Sequence, residues 1–218
     1  MIGDRIVIVC TANVIRSPFV AALMSSRLSA GYADHLQIES AGTSARPATP
    51  AEEKVVSLGR TYGLDLDPHR SRRLDDGVLR AGDTVLCAER AHRRAVLDLR
   101  PDLIASVFTV REFSRLAEAV HGRATSWADP VRLASQTRLA APATTGDDDL
   151  LDPIGGPDAA WLAFERQATQ AVSAILGALA ALPSPPSVVR TALSPVSRRE
   201  YRRSREAALP DRRTTRRS

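Results

Sequence analysis

Short apolar runs alternate with segments of helical periodicity along residues 1–182, and this alternation limits the possible folds more than any other feature. Strands that are separated by helices join one parallel sheet through crossover connections, and the helices then cover both faces of the sheet. The sequence therefore predicts a single α/β domain over residues 1–182. The predicted strands are residues 5–10, 36–40, 83–87 and 105–110, and the predicted helices are residues 18–30, 50–62, 89–99, 111–120 and 158–182.

Two segments depart from this alternation. Residues 121–149 are rich in Ala, Thr, Ser and Asp, which predicts an inserted surface loop. Residues 183–218 hold ten arginines against three acidic residues, a balance of +7, so that the first 182 residues carry −2 of the overall +5. With few large apolar side chains, this stretch is predicted to be a disordered Pro/Arg-rich tail.

The charge and composition of the chain limit its partners and its compartment. The basic tail fits either contact with an acidic partner or surface, or a solvated appendage, and it lacks the interleaved aromatic residues of a nucleic-acid platform. Cys10 and Cys87 are the only cysteines, too few for a disulfide framework, and no apolar run is long enough for a membrane span. We therefore expect a cytoplasmic protein with reduced thiols.

The stretch from Cys10 to Pro18 lies directly between the first predicted strand and the first predicted helix. In such a loop the backbone N–H groups and the helix N-terminus form a concave site for an anion, which favours a thiolate at Cys10. The guanidinium of Arg16 can hold two oxygens of a phosphoryl group. Ser17 is predicted to cap the helix, with Pro18 at its first position. The alternative is a buried strand-end cysteine and a solvated arginine.

This stretch resembles the Cys-x5-Arg-Ser-Pro signature of the low-molecular-weight protein tyrosine phosphatases of the bacterial type. The resemblance implies a three-layer fold with a four-stranded parallel sheet, a cysteine nucleophile that forms a thiophosphate intermediate, and no metal or cofactor. By the same resemblance Arg16 holds the phosphoryl oxygens, Asn13 fixes the loop and Ser17 steadies the thiolate. Ala12 replaces the usual glycine and Ile15 replaces a second cysteine, which excludes redox pairing within the loop. The predicted phosphate-loop residues are Cys10, Thr11, Ala12, Asn13, Val14, Ile15, Arg16 and Ser17.

Two further segments resemble the parts of this family that support the loop. They are Glu39-Ser-Ala-Gly-Thr43 and Pro68-His-Arg-Ser-Arg72. The resemblance implies that Ser40 and His69 hydrogen-bond to Asn13. For His69, an exposed loop histidine is the alternative.

The resemblance also implies one aspartate that protonates the leaving oxygen and later activates water. Asp152, in Leu151-Asp-Pro-Ile-Gly-Gly-Pro157, stands directly before the last predicted helix, as in the family. The competing Asp129-Pro130 pair lacks the glycines and the following helix. An ordinary turn that begins with Asp-Pro is the alternative for both pairs.

The substrate is expected to be a phosphorylated protein or a small phosphomonoester. Family members that act on phosphotyrosine usually have aromatic walls where this chain has Ala45, Arg46 and Ile154, which leaves that preference open. Val14 stands where phosphoarginine phosphatases carry threonine, which disfavours phosphoarginine. Two alternatives have other functions: a thioredoxin-coupled arsenate reductase, for which Cys87 is the only relay cysteine, and a phosphate-binding module without turnover.

Overall fold

The four predicted strands form one parallel sheet in the order β2-β1-β3-β4. The computed structural model describes residues 2–28, 36–118, 126–140 and 148–179; the predicted tail 183–218 lies outside these residues. The α/β fold class with a four-stranded parallel sheet is confirmed. The strands are β1 (Arg5–Cys10), β2 (Gln37–Gly42), β3 (Thr84–Cys87) and β4 (Val107–Thr109). The helices are α1 (Arg16–Arg27), α2 (Glu53–Thr61), α3 (Arg90–Leu99), α4 (Val110–Ala117), α5 (Ala128–Ala140) and α6 (Asp158–Gly177).

Strand β1 is buried on both faces and therefore anchors the three layers. Ile6 and Ile8 join a core cluster that contains Phe19 of α1 and Phe164 of α6. Val7 and Val9 point to the opposite face, where they join a second cluster with Val96 of α3. This two-sided burial explains why β1 is a continuous apolar run rather than an alternating one. Within the described ranges no helix is long and apolar enough to cross a membrane.

The carboxyl ends of the four strands lie at one edge of the sheet. Cys10 pairs with Gly42, Val9 with Cys87, and Cys87 with Thr109. The strand order reverses at β1, because β2 and β3 lie on its opposite sides. In open parallel sheets the crevice at such a reversal is where ligands bind, so Cys10 ends its strand at the expected position for a site.

Helix α1 begins two residues before the predicted position. Its first residue is Arg16, and Ile15 occupies the N-cap without a side-chain hydrogen bond. Ser17 is therefore not the cap, and Pro18 is not the first helical residue. The hydroxyl of Ser17 instead contacts Cys10 and Asn13, so it does not cap the N-terminus of the helix.

The segment predicted as a surface loop, residues 121–149, contains helix α5. Trp127 precedes this helix and is only 1% exposed, with its indole N–H donating to Thr84 Oγ1 at 2.9 Å. Its ring also packs on Phe113, with centroids 5.4 Å apart. The alanine-rich composition suits a helix as well as a loop, and the buried tryptophan fixes the helix to the domain. Residues 121–125 and 141–147 lie outside the described residues.

Candidate active site

Residues 10–17, the phosphate loop, turn around the buried side chain of Asn13. Asn13 has φ 56°, in the left-handed region that asparagine tolerates better than most residues. Its Nδ2 donates to Ser17 Oγ at 2.9 Å and to Ser40 Oγ at 2.8 Å, and its Oδ1 accepts from the backbone N–H of Arg72 at 2.9 Å. The positive φ falls on Asn13 and not on Ala12, so the loop accommodates alanine at position 12.

The thiol of Cys10 lies at the inner end of this loop, with two donors close to its sulfur. Its Sγ is 3.0 Å from Ser17 Oγ and 3.3 Å from the backbone nitrogen of Asn13, which donates to it. Ser17 Oγ accepts from Asn13, so its own hydrogen is available to Cys10 Sγ or to Ala41 O at 3.4 Å. Such donors stabilise a thiolate, and the N-terminus of α1 adds partial positive charge nearby.

Gly42, at the end of β2, lies against the backbone of the phosphate loop. A Cβ atom at this position would be 2.5 Å from Thr11 O and 2.8 Å from the nitrogen of Asn13. The next two residues hold the loop, because Thr43 N–H donates to Cys10 O and Ser44 N–H donates to Thr11 O, both at 2.9 Å. Only glycine allows this close approach.

His69 supports the loop from the segment after α2. Its Nε2 is 2.7 Å from the backbone oxygen of Asn13, and because a carbonyl oxygen only accepts, Nε2 carries the hydrogen. Burial lowers the pKa of His69, which favours the neutral ring. The structure thus places Ser40 and His69 on Asn13, one at its side chain and one at its backbone oxygen.

The guanidinium of Arg16 is buried and lies between the phosphate loop and two carboxylates. Its Nη2 is 2.7 Å from Asp152 Oδ2 and donates to Thr11 Oγ1 at 3.3 Å. Its Nη1 donates to the carboxylate of Glu89 and to Leu150 O, the latter at 3.3 Å. Oxygen atoms of Thr11, Glu89, Leu150 and Asp152 therefore hold the guanidinium of Arg16.

Asp152 lies on the loop that leads into α6. Hydrogen bonds anchor this loop to the segment after β3 and to α6. Leu150 N–H donates to Ala88 O at 2.7 Å, and Leu151 N–H donates to Gln167 Oε1 at 2.9 Å. A turn follows, in which Gly156 N–H donates to Pro153 O at 3.0 Å. The side chain of Asp152 is 39% exposed, so its carboxylate faces both Arg16 and solvent.

The competing Asp129-Pro130 pair lies in the first turn of α5. Asp129 Oδ2 accepts from the backbone N–H of Ser126 at 3.0 Å. The adjacent Trp127 contacts Thr84, the first residue of β3, so this pair lies near the amino edge of the sheet, opposite Cys10. Geometry therefore brings Asp152, and not Asp129, to Arg16.

Sequence reasoning missed two residues of this site, Glu89 and His92. Glu89 occupies the N-cap position of α3 and pairs with Arg16, while His92 Nε2 lies 2.8 Å from Thr11 Oγ1. Both lie within five residues of the end of β3, which is at the same edge of the sheet as the end of β1. Polar residues after a neighbouring parallel strand are the signal that could have identified them.

Comparison with known proteins identifies the family of this chain. A family model described as "Low molecular weight phosphotyrosine protein phosphatase" matches residues 5–139. The chain belongs to this family. It is a phosphatase of the low molecular weight type, as the resemblance of the Cys10 stretch implied. The match ends before Asp152, so the prediction that Asp152 is the proton donor depends on the structure and on the local Asp-Pro motif.

Two curated relatives in the family have similar sequences. The chain is 28% identical over 110 residues to the probable low molecular weight protein-tyrosine-phosphatase EpsP of Ralstonia solanacearum, covering 50% of this chain and 72% of that protein. It is 28% identical over 104 residues to the phosphatase Wzb of Escherichia coli K12, covering 48% and 67%.

Solved structures share the fold. The YwlE arginine phosphatase of Geobacillus stearothermophilus superposes with a TM-score of 0.60 at 22% identity, covering 80% of this chain and 92% of that one. The tyrosine phosphatase Wzb of Escherichia coli K30, in complex with sulphate, gives a TM-score of 0.56 at 20% identity, covering 79% and 95%.

No aromatic residue stands at the positions where the resemblance implies aromatic walls. Ile154 is 61% exposed, and Leu151 flanks Asp152 on the other side with 40% exposure. Ala45 is buried and forms no wall, while Arg46 is exposed. In the loop itself Thr11 is exposed, Val14 is half-buried and Ile15 is buried.

Cys87 lies inside the second core cluster and is fully buried. Burial raises the pKa of its thiol, which keeps it protonated and unreactive. Among the residues that the structure describes, no group of three or more His, Cys, Asp or Glu side chains is arranged to hold a metal ion.

Proposed function

We propose that this phosphatase hydrolyses phosphomonoesters through a covalent intermediate on Cys10, without a metal ion. The observation that supports this proposal most directly is that three groups meet at the carboxyl edge of the sheet. Cys10 lies on the phosphate loop, Arg16 begins α1 from the same loop, and the Arg16 guanidinium lies 2.7 Å from the Asp152 carboxylate. Nucleophile, oxyanion holder and proton carrier are the groups that this reaction needs.

In the first step the Cys10 thiolate attacks phosphorus while the bond to the leaving oxygen breaks. Asp152, in its protonated form, donates its proton to the leaving oxygen, so the product is a neutral alcohol. The loop N–H groups and Arg16 bind the equatorial phosphoryl oxygens, where charge accumulates in the transition state. The result is a phosphoryl group bonded to Sγ and an ionised Asp152.

In the second step water replaces the alcohol. The Asp152 carboxylate takes a proton from water, and the water oxygen attacks phosphorus as the S–P bond breaks. Inorganic phosphate leaves, the thiolate returns, and Asp152 is again protonated. Ser17 would stabilise the thiolate in both steps through its hydroxyl, and Asn13, Ser40 and His69 would keep the loop in its binding conformation.

We infer that the substrate is a phosphorylated protein, with phosphotyrosine as the first candidate. The relatives EpsP and Wzb are named protein-tyrosine-phosphatases, which supports this class. The neighbour YwlE is named an arginine phosphatase, but Val14 supplies a branched apolar side chain in the loop, which disfavours phosphoarginine. Ile154 and Leu151 offer aliphatic contacts to a ring rather than stacking. A reduced Cys10 is required, and this fits the cytoplasm.

The test is hydrolysis of a generic aryl phosphate in the presence of a chelator. We expect Cys10→Ser to abolish turnover and Asp152→Asn to lower kcat by about 10²- to 10⁴-fold, because the leaving oxygen loses its proton donor. Asp129→Asn is the matched control, since it changes the same residue type before a proline at the opposite edge of the sheet. It should leave kcat unchanged.

Three results would contradict the proposal. Loss of activity on chelation would indicate a metal-dependent reaction. Equal losses of kcat in Asp152→Asn and Asp129→Asn would show that Asp152 is not the proton donor. Phosphate binding without turnover by the folded, reduced protein would indicate a binding module. Arsenate reduction has no support, because Cys87 is buried in the core and would have to relay oxidation from Cys10.

A further inference from the structure

His92 is a buried histidine beside the phosphate loop that the proposed reaction does not use. It lies in the first turn of α3 and is 5% exposed. Its Nε2 is 2.8 Å from Thr11 Oγ1. Its Nδ1 is buried and has no hydrogen-bond partner among the described residues.

The unpartnered Nδ1 decides which ring nitrogen carries the hydrogen. A buried N–H without an acceptor is rarer and more costly than a bare acceptor atom. Nε2 therefore carries the hydrogen and donates to Thr11 Oγ1, and Nδ1 keeps its lone pair. Protonation would add an N–H at Nδ1 that has no acceptor there.

The charges around the ring do not overcome this effect. Burial lowers the pKa of His92; Glu89, Asp152 and Asp149 act to raise it, while Arg16 acts to lower it. The net direction is downward, so the neutral ring is favoured.

The state of His92 determines what the hydroxyl of Thr11 can do. A hydroxyl has two acceptor lone pairs and one hydrogen. Thr11 Oγ1 accepts from His92 Nε2 and from Arg16 Nη2, so both lone pairs are used and the hydrogen points away from both donors. Thr11 directly follows Cys10 in the phosphate loop and is exposed. Its O–H is thereby left as a donor at the site.

We propose that His92 is a positioning residue, which orients the Thr11 hydroxyl as a donor to the phosphoryl group and steadies Arg16 through the same oxygen. The inference rests on the proposed function, since it assigns a further group to the same site. A neutral histidine suits this task because it donates one hydrogen bond in a fixed direction and adds no charge beside Arg16.

The experiment compares two pairs of variants in kcat, KM and the affinity for inorganic phosphate. His92→Gln keeps an uncharged N–H donor near the Nε2 position, whereas His92→Phe keeps the ring volume without a donor. Thr11→Ser keeps the hydroxyl, whereas Thr11→Val removes it at constant shape. We expect His92→Phe and Thr11→Val each to lower kcat about tenfold, and the double variant to lose no more than either alone. His92→Gln and Thr11→Ser should restore most of the activity.

Losses that multiply in the double variant would overturn the proposal, and so would equal losses in His92→Gln and His92→Phe, since either indicates a packing role only. Nitrogen NMR of the His92 ring supplies a readout that packing alone does not fix: we expect a neutral ring with hydrogen on Nε2 at neutral pH. A hydrogen on Nδ1 would overturn the assignment.

Phosphate binding separates this inference from the proposed function. If the unaltered protein binds phosphate without hydrolysing esters, the proposed function fails. In that case about tenfold weaker phosphate binding in His92→Phe and Thr11→Val, but not in their conservative partners, would still support the role of His92. Equal binding by all variants would overturn it.

Discussion

Asn13 connects the phosphate loop to two other segments of the chain, β2 and residues 69–72. Its amide bonds Ser17 in α1, Ser40 in β2 and the backbone of Arg72, and its backbone oxygen accepts from His69. Because Ser40, His69 and Arg72 lie far from Asn13 in sequence, the conformation of the loop depends on the folded domain rather than on local preference. A change at Asn13 should therefore affect catalysis and stability together.

We predict that Asn13→Ala lowers kcat about 10- to 100-fold and the free energy of unfolding by about 1 to 3 kcal/mol, because buried partners lose their hydrogen bonds. Asn13→Gly loses the same bonds but accepts φ 56° without steric cost, so it should be more stable than Asn13→Ala by about 1 kcal/mol. Urea unfolding and turnover of an aryl phosphate measure both effects. Equal stability of the two variants would show that the left-handed backbone carries no cost here.

The sequence predicted some site residues better than others, for a physical reason. Cys10, Asn13 and Arg16 lie in one short motif, so the sequence alone predicts that they are close together, without knowledge of any long-range contact. Glu89 and His92 reach the site only because β3 pairs beside β1. Their contribution depends on strand order, which the local pattern of residues 89–99 does not contain.

At the scale of elements, the end of β2 can lie against the backbone of the phosphate loop only because Gly42 has no side chain. We predict that Gly42→Ala lowers kcat about 100-fold and destabilises the fold by about 1 to 3 kcal/mol, because the added Cβ would meet backbone atoms of the loop. Gly3→Ala is the matched control, since its nearest contact, Gly82 O at 3.6 Å, is an ordinary one. Turnover and urea unfolding of both variants test the prediction. Similar small effects at both positions would contradict the close approach of β2 to the loop.

Strands β1 and β2 are also joined by charges. Glu39 pairs with Arg5, whose Nη2 lies 3.0 Å from Glu39 Oε2, and with Arg72, which also bonds Ser40 O. Hydrogen bonding to Arg5 above all, together with Arg72, lowers the pKa of Glu39 from 4.5 to about 2, although burial acts in the opposite direction. A carboxylate with a lowered pKa stabilises the fold above its unfolded pKa, and this contribution is lost as the pH falls toward the folded value.

We predict that Glu39→Gln lowers the free energy of unfolding by about 1 to 2 kcal/mol near neutral pH, a figure discounted for solvent screening at this partly exposed carboxylate. The difference between the two proteins should shrink as the pH falls from 4.5 towards about 2. Urea unfolding of both proteins across this range is the measurement. A difference that stays constant with pH would mean that Glu39 acts through packing and not through its charge.

The alternating pattern predicted the succession of strands and helices along the chain, but not every boundary of these elements. Helix α1 starts at Arg16 because Ser17 is bonded within the loop, and α5 was missed because its apolar residues do not form a clear face. In both cases tertiary contacts, those of Ser17 with Cys10 and of Trp127 with Thr84, decide what local preference leaves open.

At the scale of the whole molecule, the charge is divided between two parts of the chain. Residues 183–218 carry +7, whereas residues 1–182 carry −2, and the site residues all lie in the first part. Contacts divide the chain at nearly the same place, into Met1–Pro185 and Pro186–Ser218. The boundary at residue 182 and a tail that contacts acidic partners remain predictions.

Removal of residues 186–218 tests this division. We expect the shortened chain to keep its melting temperature within about 2 °C and its kcat/KM for an aryl phosphate with an uncharged ring within about twofold, since the described core and site residues are retained. Its retention on a polyanionic resin should fall sharply, because removal of the ten arginines and three acidic residues of this segment changes the net charge from +5 to −2. A large drop in melting temperature would show that the tail is part of the fold. Unchanged retention would locate the polyanion-binding surface on the domain instead of on the tail.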